Sequence, residues 1–415
     1  MPAPGFPLID FDELHRESLP AWLGNGRGEL ARRAVAAVAG LRPIAFRLPD
    51  GRAYTYRPGG PGVEVAPGDD GAATVVEMSA ETWSDYASEL HTAFGLLYGG
   101  QVGAARGGLE QLVMWEPVVR AMLSGRPVYR VEDVDLTAAD GSPLDLEAGF
   151  GLDSSPEEVR RFFRATGFVH IRGVFSPDEI AGVVGEVERL SAMAHPGDDR
   201  SWWAKNADGT EVLCRLIYIN ERSELLARAH EDGRLQKLIE TIRPDGADLI
   251  VGDVRGDGHS VVLKNPGAVE GLSDLPWHVD CGLGGHPILC PAINLGVQLD
   301  AATPEAGQLH FLAGSAGRSA THLTPEELRD GRYPTVAVTT EPGDVTMHLG
   351  DTLHLAPPPT AVPAGPVRGR RAMYLTWHNR LCADHIPPGS GYNDVVLHSG
   401  QDNVVSSVPE QLARR

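Results

Sequence analysis

The chain has 415 residues, 42% hydrophobic and 22% charged, which is length and apolar content enough for two globular domains. A formal net charge of −20 argues against nucleic acid or an anionic membrane surface as a partner, because either repels such a protein on average. The four cysteines (Cys214, Cys281, Cys290, Cys382) lack the spacing of a disulfide framework or zinc site. The start MPAPGFPLIDFDELHRE has no signal-peptide pattern, and no apolar run is long enough to span a membrane, so a cytoplasmic protein is expected.

In chain order, residues 11–40 read as helical (ELHRESLPAWLG, then ELARRAVAAVAGL). Two strand-like runs, PIAFRLPDG and RAYTYRPGG, meet at an Asp-Gly turn, and GVEVAPG and AATVVEMS follow as further strands. Ser79 opens a helix over SAETWSDYASELHTAF, and LEQLVMWEPVVRAML closes the region as another. Residues 1–126 are therefore an amino-terminal α+β domain. Residues 127–155, acidic and rich in turn formers, are a linker, and 156–415 are a second, mainly β domain.

Within that second domain stands His278-Val279-Asp280, with His354 lying 74 residues beyond Asp280 and Arg370 after it. Side chains at i and i+2 of a strand share a face, so His278 and Asp280 can point at one metal while Val279 packs behind them. Two imidazoles and a carboxylate occupy one face of an octahedron, which suits Fe(II) and leaves positions for a co-substrate and dioxygen. An H-x-D tripeptide is weak evidence alone in a chain of 15 histidines. His286, His310, His322, His348, His378, His385 and His398 are competing ligands, and His348 is the nearest to His354. In INLGVQLD (293–300), Asn294, Gly296 and Gln298 form a polar strand face that either lines a site or meets solvent. Lys264 can add positive charge to an anion pocket. Trp202 and Trp203, with Lys205, fall in a polar stretch read as a loop, where they either form a lid and substrate wall or cap a barrel mouth. Cys281 is read as a buried thiol.

Several ordered motifs resemble the phytanoyl-CoA dioxygenase family. They are RRFFRATGFVHIRGVFSPDEIAGVVGEVERL (160–190), LPWHVDCG (275–282), AGQLHFLAGSAG (306–317), PGDVTMHLGDTLHLAPPP (342–359) and RGRRAMYLTW (368–377). The resemblance implies a double-stranded β-helix (jelly-roll, cupin-like) core and an Fe(II)/2-oxoglutarate-dependent dioxygenase. It implies His278, Asp280 and His354 as iron ligands, preferring His354 because it follows the Gly-Asp turn. It implies Arg370 as the clamp for the distal carboxylate of 2-oxoglutarate, since a guanidinium binds a carboxylate bidentately, with Arg368 and Arg371 as rivals. The proline-rich loop between His354 and Arg370 is longer than the family pattern. Related halogenases carry a small residue where Asp280 stands, so halogenation is not expected. The amino-terminal region is similar to a sterol carrier protein 2-like domain through VVEMSAETWSDYAS and LYGGQVGAARGGLEQL; the other reading is an α+β domain that only builds its own core. Together these imply oxidation, by default hydroxylation, of an unactivated C–H bond in a small molecule: a lipid, an acyl-CoA or a specialised metabolite. Succinate and CO2 are the co-products and dioxygen the oxidant. A ligand-binding barrel without activity, or a zinc hydrolase, are the other classes, and neither requires the arginine.

Overall fold

The structure, a computed structural model, describes residues 6–59, 62–251, 258–270, 275–282, 288, 290, 292–360, 370–380 and 392–397. In the amino-terminal part the two runs divided by Asp50-Gly51 pair antiparallel as β1 (Ile44–Arg47) and β2 (Ala53–Gly59). Gly51 sits at φ +88°, a left-handed turn position that a Cβ would penalise. β3 (Gly62–Pro67), β4 (Thr74–Glu77) and β5 (Gly103–Arg106) extend this to a sheet in the order β3-β2-β1-β4-β5. Ser79 caps the helix Ala80–Ala87 by accepting from the Thr82 amide. The helix Glu110–Leu123 is almost wholly buried, and its Trp115 joins a core of Phe11, Phe46, Tyr56, Trp83 and Tyr86. No helix of the described residues is long and apolar enough to cross a membrane.

The second part holds β6 (Phe168–Ile171), β7 (Ser201–Asn206), β8 (Glu211–Leu216), β9 (Leu249–Val251), β10 (Ser260–Lys264), β11 (Ala268–Glu270), β12 (Leu275–His278), β13 (Ile293–Gln298), β14 (Leu309–Leu312), β15 (Thr335–Val338), β16 (Val345–Leu349), β17 (His354–Ala356) and β18 (Arg370–Asn379). They build two antiparallel sheets of a double-stranded β-helix. The larger runs β11-β7-β8-β10-β18-β13-β16-β6, with β9 on β18, and the smaller runs β12-β17-β14-β15. Alternation along the central strands explains how the larger sheet is used. Leu295, Val297, Val345, Met347, Met373 and Leu375 join the apolar core with residues of the helices Pro156–Thr166, Pro177–Met193 and Gly233–Ile242. The residues between them, Asn294, Gly296 and Gln298 on β13 and Arg370, Ala372 and Tyr374 on β18, face the other way, toward the smaller sheet. Ser176 and Glu179 form a capping box with Pro177 at the first turn, which starts one of the covering helices.

The tryptophan stretch differs from expectation. Trp202 and Trp203 lie on β7, not in a loop, and β7 pairs with β8 through Trp202↔Arg215. Trp202 is 1% exposed in a core with Ala204, Cys214, Ile217 and Tyr218. The polar flanks misled: His195, Asp198 and Arg200 close a turn, while Trp202 packs inside and Trp203 is half-buried.

Candidate metal centre

β12 and β17 pair in a register that sets His278 directly opposite His354, and their ring centroids lie 4.1 Å apart. Asp280 follows β12, its amide and that of Cys281 both donating to the Gly350 carbonyl at 2.7 and 3.0 Å. The Gly-Asp turn before His354 therefore anchors the backbone that carries Asp280. Val279 and Trp277 pack on the far side against Leu312, Leu323 and Leu353, as the i, i+2 argument requires. One ligand atom each from His278, Asp280 and His354 lie within 4.8 Å of one another, and no other such group of histidine, cysteine or acidic residues occurs among the described residues.

The protonation geometry suits a metal. His278 Nδ1 lies 2.6 Å from the Pro276 carbonyl and His354 Nδ1 2.9 Å from that of Thr352, so both Nδ1 atoms carry the hydrogen and both Nε2 atoms present lone pairs. The Nε2 atoms stand 3.3 and 3.6 Å from the Asp280 carboxylate. His278 Nε2 is buried and makes no hydrogen bond. Burial would raise the Asp280 acid, but the imidazole of His354, with those of His278 and His348, holds it well below the usual carboxylate range. An ionised carboxylate beside imidazole nitrogens whose lone pairs are free is what a divalent cation requires.

A second ring of groups fixes the carboxylate. Asn294 Nδ2 donates to Asp280 Oδ2 at 2.5 Å, and His348 Nε2 donates to the same oxygen at 3.1 Å. Asn294 and His348 are cross-strand partners on β13 and β16. The polar face of β13 is therefore interior, not solvated, and His348 holds the Asp280 carboxylate from β16.

The cavity beside the triad is lined by Lys264, Asn294, Arg370 and Tyr374, and by Arg215, Ser260 and Thr376. Register explains the grouping: Lys264 faces Arg370 and Ser260 faces Tyr374 between β10 and β18. Arg370 is 2% exposed and Lys264 fully buried. Arg370 donates to Gln298 Oε1 at 3.2 Å, its Nε has no hydrogen-bond partner, and no carboxylate pairs with it among the described residues. A buried guanidinium with an unpartnered Nε suits an anion, while Lys264 beside it donates to the Ala356 carbonyl. Gln298 does not line the cavity itself but orients Arg370, and its own Nε2 donates to Thr346 Oγ1 at 3.2 Å.

Arg371 is on the opposite face and is already engaged. It makes a two-bond pair with Asp300 at 2.8 and 2.9 Å and reaches Glu188 at 3.3 Å. Arg368, His286, His385, His398 and Cys382 lie outside the described residues. Trp202 and Trp203 are not among the lining residues; Trp202 instead stacks beneath the Arg215 guanidinium at 4.7 Å. Arg215, Ser260 and Thr376 escaped the sequence reading, although alternation on β10 and β18 puts two of them in phase with Lys264 and Arg370. Cys281 is fully buried, burial pushes its thiol well above 9.0, and it packs on Gly350, where a Cβ would approach its sulfur to 2.4 Å.

Residues 163–360 match the family model described as Phytanoyl-CoA dioxygenase (PhyH). Over these residues the chain is similar to the phytanoyl-CoA dioxygenase family. Similar solved structures include EvdMO1, 26% identical over 54% of this chain and 50% of that one, with a TM-score of 0.42. The chain thus spans half the length of EvdMO1. AviO1 from Streptomyces viridochromogenes Tue57 is 24% identical over 56% of this chain and 97% of that one, with a TM-score of 0.40. The epimerase SnoN, in complex with Fe3+, alpha ketoglutarate and nogalamycin RO, is 20% identical over 54% and 83%, with a TM-score of 0.40. No curated protein matches the chain.

Proposed function

We propose that this protein hydroxylates an unactivated C–H bond of a small specialised metabolite, using iron held by His278, Asp280 and His354 and 2-oxoglutarate clamped by Arg370. The observation that carries the reading is the convergence, in one cavity, of a metal-ready triad and a buried arginine lacking a carboxylate partner among the described residues. A binding module has no need of that pair, and a zinc hydrolase has no need of the arginine. We assign residues 1–126 to an amino-terminal domain, 127–155 to a connection and 156–415 to the oxygenase domain. Iron and 2-oxoglutarate, when bound, activate dioxygen and supply the oxidant that removes a hydrogen atom from the substrate, with succinate and CO2 released.

The chain's own part is to hold and exclude. Pro276 and Thr352 fix the imidazole tautomers, and Asn294 and His348 hold Asp280 ionised and oriented toward His278 and His354. Arg370, set by Gln298, offers its fork to the far carboxylate of the co-substrate, and Lys264 adds a second positive charge from the paired strand. Arg215, Ser260 and Thr376 then remain, beside Val262, Leu309 and Ala356, to position the substrate. That mixture favours a metabolite bearing oxygen functions over the large apolar lipid or acyl-CoA suggested by the amino-terminal resemblance. The hydrogen that faces the metal decides the outcome, so desaturation, cyclisation or epimerisation share this site with hydroxylation.

The test is anaerobic addition of Fe(II) and then 2-oxoglutarate, watching for the weak visible charge-transfer absorption of the chelated complex. It is expected in the wild type and lost in His354→Ala and Arg370→Ala. Iron binding without that absorption in the wild type sinks the reading.

A further inference from the structure

The amino-terminal region reaches the metal centre, and this contact gives it a role. Two residues after Asp280, the Gly282 carbonyl accepts two hydrogen bonds from one residue of the other domain: the Thr92 amide at 3.0 Å and the Thr92 hydroxyl at 2.6 Å. Thr92 also caps the helix Ala93–Tyr98, its hydroxyl accepting from the Gly95 amide at 3.0 Å. The approach is close enough to require glycine on both sides. A Cβ on Gly282, which sits at φ +77°, would lie 2.3 Å from Thr92 Cγ2, and one on Gly95 would lie 2.3 Å from the Gly282 oxygen.

A second contact reaches the turn before His354. Arg126 forms a two-bond pair with Glu89 at 3.1 and 3.0 Å and places its third donor 3.1 Å from Asp351. Asp351 follows Gly350, the residue whose carbonyl holds the Asp280 and Cys281 amides. The Glu89 carbonyl, in addition, accepts from the Ile288 amide at 3.0 Å. Glu89 sits at φ +61°, a left-handed conformation that costs a non-glycine residue about 1 kcal/mol or more and persists where surroundings over-determine it. Here they do, through a side chain only 3% exposed and bound to Arg126.

We propose that the amino-terminal domain is a positioning element of the oxygenase site, with Thr92 holding the segment that carries Asp280 and the Glu89–Arg126–Asp351 bridge holding the turn that carries His354. The inference rests on the assignment of those residues as metal ligands. It makes the two domains one functional unit: loosening the dock loosens the ligand geometry without touching a ligand. Thr92 acts through the Gly282 carbonyl and Arg126 through the Asp351 carboxylate, and neither lines the cavity.

The experiment uses the full-length chain. Amide hydrogen exchange of peptides covering 275–282 and 345–356 is followed in metal-free protein, and Co(II) affinity is measured separately as a probe of the site. Thr92→Val removes the hydroxyl donor and keeps the backbone. It is expected to speed exchange at 275–282 about tenfold and to weaken Co(II) binding about tenfold, the lower range for groups that orient a metal ligand, while peptides from 44–59 and 293–298 keep their wild-type rates. Thr92→Ser restores both. Arg126→Gln gives the same pattern centred on 345–356. Unchanged exchange at 275–282 and 345–356 overturns the proposal, as does equal acceleration across all peptides, which would make the contact a matter of global stability. If the wild type binds no Co(II), the metal assignment fails, and the exchange contrast still decides whether the domain holds these segments.

Discussion

Replacing Arg370 by alanine tests the central assignment, and its magnitude can be worked from the surroundings. The guanidinium is 2% exposed, oriented by Gln298 and shielded from bulk water, so a carboxylate bound there gains charge-assisted hydrogen bonds at little screening. Each such bond contributes about 1.5–3 kcal/mol, two parallel ones about 3–6 kcal/mol. Lys264 on the paired strand recovers part of this, leaving a loss of about 3–4 kcal/mol, or two to three orders of magnitude in affinity for 2-oxoglutarate. Anaerobic titration of the Fe(II) protein with 2-oxoglutarate, read by the visible charge-transfer absorption, measures it directly. Arg371→Ala is the matched control: Arg371 is bound to Asp300, so its removal should lower stability by about 1–3 kcal/mol and leave 2-oxoglutarate affinity within about threefold. The reasoning is refuted if Arg370→Ala binds within about tenfold of wild type, or if Arg371→Ala loses as much.

Three further outcomes are expected. Asn294→Ala and His348→Phe each remove one donor from Asp280 Oδ2 and should weaken divalent-metal binding about tenfold by calorimetry, with the double variant less than additive because both act on one oxygen. Saturating metal at about 100 times its Kd should stabilise the wild type by about 2.7 kcal/mol in thermal unfolding, and a chelator or His354→Ala should abolish the gain. His15 lies between the Phe11 carbonyl and the Tyr56 hydroxyl, and burial pushes its pKa from 6.5 down to about 4. The unfolded chain therefore binds the extra proton first, so stability is full above pH 6.5 and falls by up to about 3 kcal/mol as the pH drops toward 4. His15→Gln should flatten that window in a pH series of unfolding curves; an unchanged slope rules the histidine out.

The candidate triad was legible from one local signal and one family motif. His278 and Asp280 need only the period of a strand, and His354 and Arg370 fall at motif positions of a family domain that the matched residues bear out up to 360. The Asp-Gly hairpin and the Ser79 cap were readable because each depends on neighbours within a few residues. Alternation on β13 showed that Asn294, Gly296 and Gln298 share a face, but not whether the face looked in or out. Only the closing of two sheets over that face decided it, by setting Asn294 against Asp280 and Gln298 against Arg370. The burial of Trp202 beneath Arg215 depends on a hairpin partner. The pairing of Arg371 with Asp300 joins residues 71 apart, and Thr92 and Gly282 are separated by 190. Such contacts arise from chain closure, which no local pattern encodes. Strand period and family motifs thus pointed to His278, Asp280, His354 and Arg370 as the candidate residues, while the tertiary structure decided which groups orient them and that the amino-terminal region is docked on the segments that carry them.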